Sequence, residues 1–185
     1  MRAFIAIDLD PPLKKNLTTF IEELRPLGGE VGWVRFSGMH LTLKFLGEIA
    51  EEDVGEVAGL FEKTAGNHPG FSLSLVGTGV FPPGKRDPRV LWVGIADNPQ
   101  LFALQSDVER GLESLGFERE RRDFHPHLTI GRVKNPFRLE KLLAEFTKSR
   151  DRSFGGMAVH KVTLFQSVLK PSGAEYQVLV ECQLG

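Results

Sequence analysis

Two short segments of the sequence combine an imidazole and a hydroxyl in the same order. The tetrad His-Leu-Thr-Leu begins at His40, and the tetrad His-Leu-Thr-Ile begins at His127. Both lie in apolar stretches that predict strands, in which residues i and i+2 share a face. Thr42 would therefore lie on the same side as His40, and Thr129 on the same side as His127. One such tetrad is typical of any half-buried strand, whereas two in similar contexts favour a functional pair.

Two imidazoles and two hydroxyls suit the cleavage of a phosphate ester. Because an unperturbed imidazole titrates near ~6.5, one histidine can act as a base at neutral pH while the other acts as an acid. Hydroxyls and nearby cations can stabilise charge on the phosphoryl oxygens. Each tetrad is followed by a cation within five positions of its histidine, Lys44 or Arg132. The pattern predicts a two-histidine site that needs no metal or other cofactor.

Arg132 is the candidate cation for binding substrate. It follows His127 by five positions, so on an unbroken strand it would point away from that histidine. A bulge at Gly131 would return it to the same face. Two further basic groups stay open as substrate contacts or solvated loop residues. They are Arg119, Arg121 and Arg122 before the second tetrad, and Lys85, Arg86 and Arg89 in a loop rich in proline and glycine.

A zinc site is the alternative use of the histidines. His125 stands two positions before His127, and together with His40 these residues could supply three ligands. Pro126 interrupts the strand register between the first two, and no carboxylate accompanies them at the usual spacing. The sequence therefore favours the reaction without a metal and predicts that His125 neighbours the cleft or lies in a loop.

The composition is that of an ordinary globular chain. It has 185 residues, of which 41% are hydrophobic and 25% charged, with a formal net charge of -1. Any attraction for nucleic acid must therefore come from a local patch. The single cysteine, Cys182, cannot form an internal disulfide, and no apolar run is long enough for a signal peptide or a membrane span. We expect a cytoplasmic monomer with no membrane association.

The repeat extends beyond the tetrads. Residues 3–9 predict a strand, and the pattern after Asp10-Pro11 predicts a helix with an aspartate cap. Residues 90–95 predict a second strand, and the pattern after Asn98-Pro99 predicts a second capped helix. Further helices are predicted over 51–65 and 138–147, and further strands over 71–81, 159–165 and 174–184.

Two equivalent halves, about 1–86 and 87–185, follow from this repeat. Each reads strand, helix, tetrad strand, helix, strand. We expect an α+β fold in which residues 1–185 form a single bilobal domain. Its antiparallel strands and helices would make two pseudo-symmetric lobes around a central cleft, and symmetry would bring the tetrads to face each other.

The chain resembles the 2H phosphoesterases, which are named for two His-x-Thr-x motifs. It is most similar to the RNA 2′,3′-cyclic phosphodiesterases, also called 2′-5′ RNA ligases of the LigT type. The resemblance spans nearly the whole chain and includes both tetrads in order. Its segments are 2–7, 40–48, 79–82, 89–92, 124–132, 164–167 and 173–176.

This resemblance implies a LigT-like 2H phosphoesterase fold and an activity. The activity is hydrolysis of a terminal RNA 2′,3′-cyclic phosphate to a 2′-phosphate, with a weak reverse reaction that joins RNA ends through a 2′-5′ bond. The resemblance implies that His40 is the proton donor, that His127 is the proton acceptor, and that Thr42 and Thr129 bind the phosphate. The expected partners are RNA ends, in tRNA-like molecules or oligonucleotides, that carry the cyclic phosphate.

Two other functions stay open. The chemistry could act on another cyclic phosphate or on a 2′-5′ oligonucleotide, because no base-contacting motif is recognisable. The protein could also be a non-catalytic module that binds RNA ends. The intact histidines argue against binding alone, since binding needs cations rather than two titratable groups.

Overall fold

The computed structural model describes residues 1–84, 87–171 and 173–185. Within these ranges the chain forms nine strands and four α-helices, as the α+β prediction requires. In chain order they are β1 Arg2–Asp8, α1 Pro11–Leu24, β2 Glu30–Trp33, β3 His40–Glu48, α2 Val54–Gly66, β4 Phe71–Phe81, β5 Val90–Ile95, α3 Pro99–Glu113, β6 His127–Asn135, α4 Glu140–Lys148, β7 Ser153–Val159, β8 Lys161–Lys170 and β9 Gly173–Gln183.

The strands form two antiparallel sheets. One has the order β3-β1-β8-β9, and the other has the order β2-β6-β5-β4-β7. Apart from β2 the two orders are equivalent. In each sheet the tetrad strand pairs with the first strand of its own half, β3 with β1 and β6 with β5. The next strand comes from the other half: β8 follows β1, and β4 follows β5. The two halves of the sequence therefore exchange β4 and β8, and each sheet contains residues from both halves.

Helices α1 and α3 begin at equivalent caps. The Asp10 carboxylate accepts a hydrogen bond of 2.9 Å from the backbone N–H of Leu13, and the Asn98 amide oxygen accepts one of 3.1 Å from that of Leu101. A proline follows each cap, where its missing N–H costs no helical hydrogen bond. Both predicted helix starts are confirmed. None of the described helices is long and apolar enough to cross a membrane.

The aliphatic residues of the two tetrads anchor the core. Leu41 and Leu43 of β3 are buried in the same hydrophobic cluster as Leu128 and Ile130 of β6. The histidine and threonine of each tetrad alternate with them and are half-buried on the other face, which we call the cleft face. The predicted sharing of one face by each histidine and its threonine is confirmed. Strands β3 and β6 also contact each other where the two sheets meet.

Two strands are absent from the sequence-based prediction. Strand β2 has only four residues, and β7 contains two consecutive glycines, Gly155 and Gly156. Short length and glycine content both weaken the alternating pattern that identifies a strand. Both strands lie at the edges of the larger sheet. Two predicted helices are confirmed but begin later than predicted, at Val54 and Glu140.

A buried ion pair joins β3 to α3. Lys44 Nζ lies 2.6 Å from Glu109 Oε2, and it donates a second hydrogen bond of 2.5 Å to the backbone carbonyl of Glu118. The Lys44 side chain is 5% exposed and that of Glu109 is 7% exposed. In strand register Lys44 is opposite Ile5, which belongs to the core. Lys44 is therefore not the cleft cation that the sequence pattern pairs with Arg132.

We expect Glu109→Gln to lower the free energy of unfolding by about 3–5 kcal/mol, because it leaves a buried ammonium without its counter-ion. Replacing both partners, with Lys44→Met and Glu109→Leu, should cost much less because no charge stays buried. Urea unfolding followed by circular dichroism measures both changes. A double variant as unstable as Glu109→Gln would contradict this explanation.

Candidate active site

His40 begins β3 and lies in an aromatic enclosure. The ring centroids of Phe4 and Tyr176 are 4.7 and 4.9 Å from that of the imidazole, and the Phe165 centroid is 6.0 Å away. These rings come from β1, β9 and β8. The enclosure therefore depends on the exchange that brings β8 and its neighbour β9 into the sheet of the first tetrad.

The protonation of His40 depends on burial and on two charges. Burial disfavours the imidazolium and lowers the pKa of His40 from 6.5 to about 4. The Asp8 carboxylate raises the pKa, and the Lys14 ammonium lowers it further. A hydrogen bond from the ring to the backbone carbonyl of Gly38 also favours the imidazolium. His40 is therefore neutral at pH 7.

His127 begins β6 and has an equivalent enclosure. The ring centroid of Phe81 is 5.1 Å from the imidazole, and that of Trp92 is 6.1 Å away. Trp92 can lie flat against β4 because Gly79 is opposite it, where a Cβ atom would overlap the indole. His127 Nδ1 is 2.7 Å from the backbone oxygen of His125. When Nδ1 carries the proton of that hydrogen bond, Nε2 is left to act on a substrate.

A bulge in β6 places Arg132 on the cleft face. Trp92 is opposite Thr129, but the preceding residue of β5 is opposite Gly131, so β6 carries one extra residue between these positions. The bulge resets the alternation, and Arg132 returns to the face of His127. This agrees with the bulge predicted at Gly131. Arg132 is exposed to solvent there.

The same irregularity in β3 places an aromatic ring at the equivalent position. Strand β3 carries one extra residue after Thr42, so Phe45 returns to the cleft face. Phe45 follows His40 by five positions, just as Arg132 follows His127, and it is 72% exposed. The cleft face thus carries an exposed ring beside one histidine and a guanidinium beside the other.

The other basic candidates lie in exposed segments. Two of them form surface ion pairs, Arg119 with Glu113 at 3.9 Å and Arg122 with Glu120 at 3.2 Å. Exposed pairs of this kind contribute little to stability. Of the second basic group, Lys85 and Arg86 lie outside the described residues, and Arg89 is exposed immediately before β5.

His125 contacts the site through its backbone and lines a neighbouring cavity. Its carbonyl accepts the hydrogen bond from His127, and the residue lines a cavity of about 420 Å³ together with Trp92 and Phe102. Its prediction as a neighbour of the cleft fits this position. Over residues 1–84, 87–171 and 173–185, no three His, Cys, Asp or Glu side chains are grouped to hold a metal ion.

Sequence reasoning named the histidines and threonines but missed the aromatic enclosures. The signal was present outside the tetrads. Each of five other segments that carry the family resemblance contains one ring that packs against a tetrad histidine. These rings are Phe4, Phe81, Trp92, Phe165 and Tyr176.

Comparison with known proteins identifies the family. The model of the 2′-5′ RNA ligase superfamily matches residues 11–170. The chain belongs to this superfamily. An RNA 2′,3′-cyclic phosphodiesterase of Thermotoga maritima is 39% identical over 184 residues, which cover 99% of this chain and 95% of that protein.

Solved structures show the same fold. The protein TT0787 of Thermus thermophilus matches with a TM-score of 0.85 and 29% identity, covering 100% of this chain and 98% of that one. LigT of E. coli complexed with 3′-AMP matches with a TM-score of 0.78 and 27% identity, covering 99% and 97%. The predicted LigT-like 2H phosphoesterase fold is confirmed.

His40 should make the stability of this superfamily member depend on pH. The pKa of His40 is 6.5 in the unfolded chain and about 4 in the folded protein. Between these two pH values the unfolded chain therefore binds more protons than the folded protein. The stabilisation is complete above about pH 6.5 and is lost as the pH falls towards 4, by on the order of 3 kcal/mol. Urea unfolding at pH 7 and pH 4.5 should show a larger loss for the wild type than for His40→Gln.

The exposed His160 provides the control for this measurement. His160→Gln removes one histidine outside the site and should keep the wild-type loss of stability between the two pH values. An equal loss in the wild type and in His40→Gln would mean that burial does not suppress the protonation of His40.

Proposed function

We propose that this chain is an RNA 2′,3′-cyclic phosphodiesterase that converts a terminal cyclic phosphate to a 2′-phosphate, with a reverse 2′-5′ ligation. The observation that carries the proposal is the pair of equivalent histidines. Each begins a tetrad strand, each lies among aromatic rings on the cleft face, and the two strands contact each other. The RNA 2′,3′-cyclic phosphodiesterase of Thermotoga maritima, which is 39% identical to this chain, supports the same activity.

The reaction needs one proton acceptor and one proton donor. For a 2′-phosphate product, a water oxygen bonds to phosphorus and the bond from phosphorus to the ribose O3′ breaks. His127 takes the proton from the water through Nε2, because the carbonyl of His125 holds Nδ1. His40 gives a proton to O3′ as that oxygen leaves.

The low pKa of His40 fits a donor only once substrate is bound. An imidazolium with a pKa of about 4 is a strong acid, but it is scarce at pH 7. The negative charge of a bound phosphodiester favours the imidazolium, as the Asp8 carboxylate already does. We therefore infer that the negative charge of the bound substrate raises the pKa of His40 and so favours its protonation.

Three other side chains are assigned to the phosphate. The hydroxyls of Thr42 and Thr129 lie on the same faces as the histidines and can donate hydrogen bonds to phosphoryl oxygens. The guanidinium of Arg132 supplies the positive charge on the same face. Such donors act most strongly where charge develops during the reaction.

We further propose that residues 1–185 form one bilobal domain that acts as a monomer, since both histidines belong to one chain. The substrates would be RNA ends of tRNA-like molecules or oligonucleotides. The buried free thiol of Cys182 fits a reducing compartment such as the cytoplasm.

We expect purified protein to open an RNA 2′,3′-cyclic phosphate in excess EDTA, because the proposed proton transfers need no metal. Chromatography of the product should show a 2′-phosphate and no 3′-phosphate. Complete loss of activity in EDTA with recovery on adding zinc would favour the three-histidine metal site. Binding of the RNA end without turnover would instead favour the non-catalytic module, and turnover of only other cyclic phosphates would change the substrate.

His40→Ala and His127→Ala should each slow the reaction on the order of 10²–10⁴-fold, as expected for positioned proton-transfer groups. A phosphodiester with a p-nitrophenolate leaving group needs no proton on the departing oxygen. It should restore the rate of His40→Ala and leave His127→Ala slow.

The control for these variants is His160→Ala, which should keep the wild-type rate with both substrates. Recovery in His127→Ala rather than His40→Ala would reverse the two roles. Recovery in neither variant would contradict acid–base catalysis by this pair.

A further inference from the structure

The two tetrad histidines have similar aromatic enclosures but different partners across the sheet. Asp8 of β1 is opposite His40, whereas Gly94 of β5 is opposite His127. A carboxylate therefore stands beside one histidine at the position where the other has no side chain. Asp8 and Gly94 thus occupy equivalent positions in the two sheets, and only Asp8 carries a charge.

The neighbouring helices differ in the same way. The fourth residue of α1 is Lys14, and the fourth residue of α3 is Phe102. Lys14 Nζ lies 2.7 Å from Asp8 Oδ1 and is nearly buried. Phe102 instead packs edge to face against Phe124, with ring centroids 5.6 Å apart. An ion pair in one half is thus replaced by a neutral aromatic pair in the other.

Lys14 also reaches the turn that leads into the first tetrad. Its ammonium lies 5.7 Å from the ring centroid of Phe36, and Phe36–Gly38 form a 3₁₀ turn just before His40. The carbonyl of Gly38 accepts the hydrogen bond from the imidazole. Lys14 therefore contacts both the carboxylate beside His40 and the turn that orients its ring.

We propose that Asp8 and Lys14 are a positioning pair that makes His40 chemically different from His127 and so divides the acid and base roles between two equivalent halves. The proposal rests on the proposed function. Neither residue need touch the substrate, since both act through His40.

The charges that face His40 come from several elements. In the described part of the chain they are Asp8 from β1 and Lys14 from α1, together with the titratable phenol of Tyr176 from β9. Asp8 favours the imidazolium and Lys14 opposes it. The effect of Asp8 is the larger of the two, so the pair as a whole favours a proton on His40. The added charge of a bound phosphate can then decide whether His40 carries a proton.

The test is a titration of His40 by NMR in single variants of the pair, with the His40 signal assigned from its absence in His40→Gln. Asp8→Asn should lower the proton affinity of His40, and Lys14→Gln should raise it, each by roughly threefold or more. The double variant should lie between them, because both opposing charges are then removed. A merely structural ion pair would move both single variants in the same direction or move neither, and either result would overturn the proposal.

Glu23→Gln is the matched control, because Glu23 also lies on α1 and pairs with Arg152 at 2.7 Å. It should leave the titration of His40 unchanged, and circular dichroism should show that all variants are folded. The pH profile of turnover is the second readout, in which the limb that belongs to His40 should move in opposite directions in Asp8→Asn and Lys14→Gln.

These readouts separate the two proposals. A protein that opens no cyclic phosphate would overturn the proposed function, while the NMR titration would still report the effect of the pair. An active protein in which neither variant moves the titration of His40 would overturn the positioning pair alone.

Discussion

Burial of the aliphatic side chains of both tetrads in one core is the constraint on which the site depends. Leu41 is 0% exposed and Leu128 is 1% exposed, in strands that contact each other where the sheets meet. Because side chains alternate along a strand, fixing these residues inside fixes the neighbouring histidine and threonine outside. A register slip of one residue would bury the imidazoles and expose the leucines, so the site and the core stabilise the same register.

Two departures from regular structure turn this register into an active site. The exchange of β4 and β8 gives each sheet strands from both halves of the sequence. The exchanged strands supply rings around the histidines, Phe165 beside His40 and Phe81 beside His127. The bulges then bring one more residue of each tetrad strand onto the cleft face, Phe45 in β3 and Arg132 in β6. The two tetrad strands therefore bulge at equivalent positions, whereas the side chains that they present there differ.

The asymmetry of the side chains determines the electrostatics. Lys44 neutralises a buried carboxylate in the core, and Arg132 faces outward, so the two cations that follow the tetrads have different tasks. Burial lowers the pKa of His40 and keeps the imidazole neutral at pH 7. On the proposed function, the negative charge of a bound phosphodiester would favour the imidazolium, which would link substrate binding to proton transfer.

The sequence by itself determined the duplicated strand–helix pattern, the helix caps at Asp10 and Asn98, and the face shared by each histidine and its threonine. These features follow from local rules, namely alternation, periodicity and capping, which depend on residues close together in the chain. Only the tertiary structure decided the strand exchange, the aromatic enclosures, the inward direction of Lys44 and the Asp8–Lys14 pair beside His40. These depend on contacts between residues far apart in the chain, and which strands pair and where they bulge is set by the packing of the whole core.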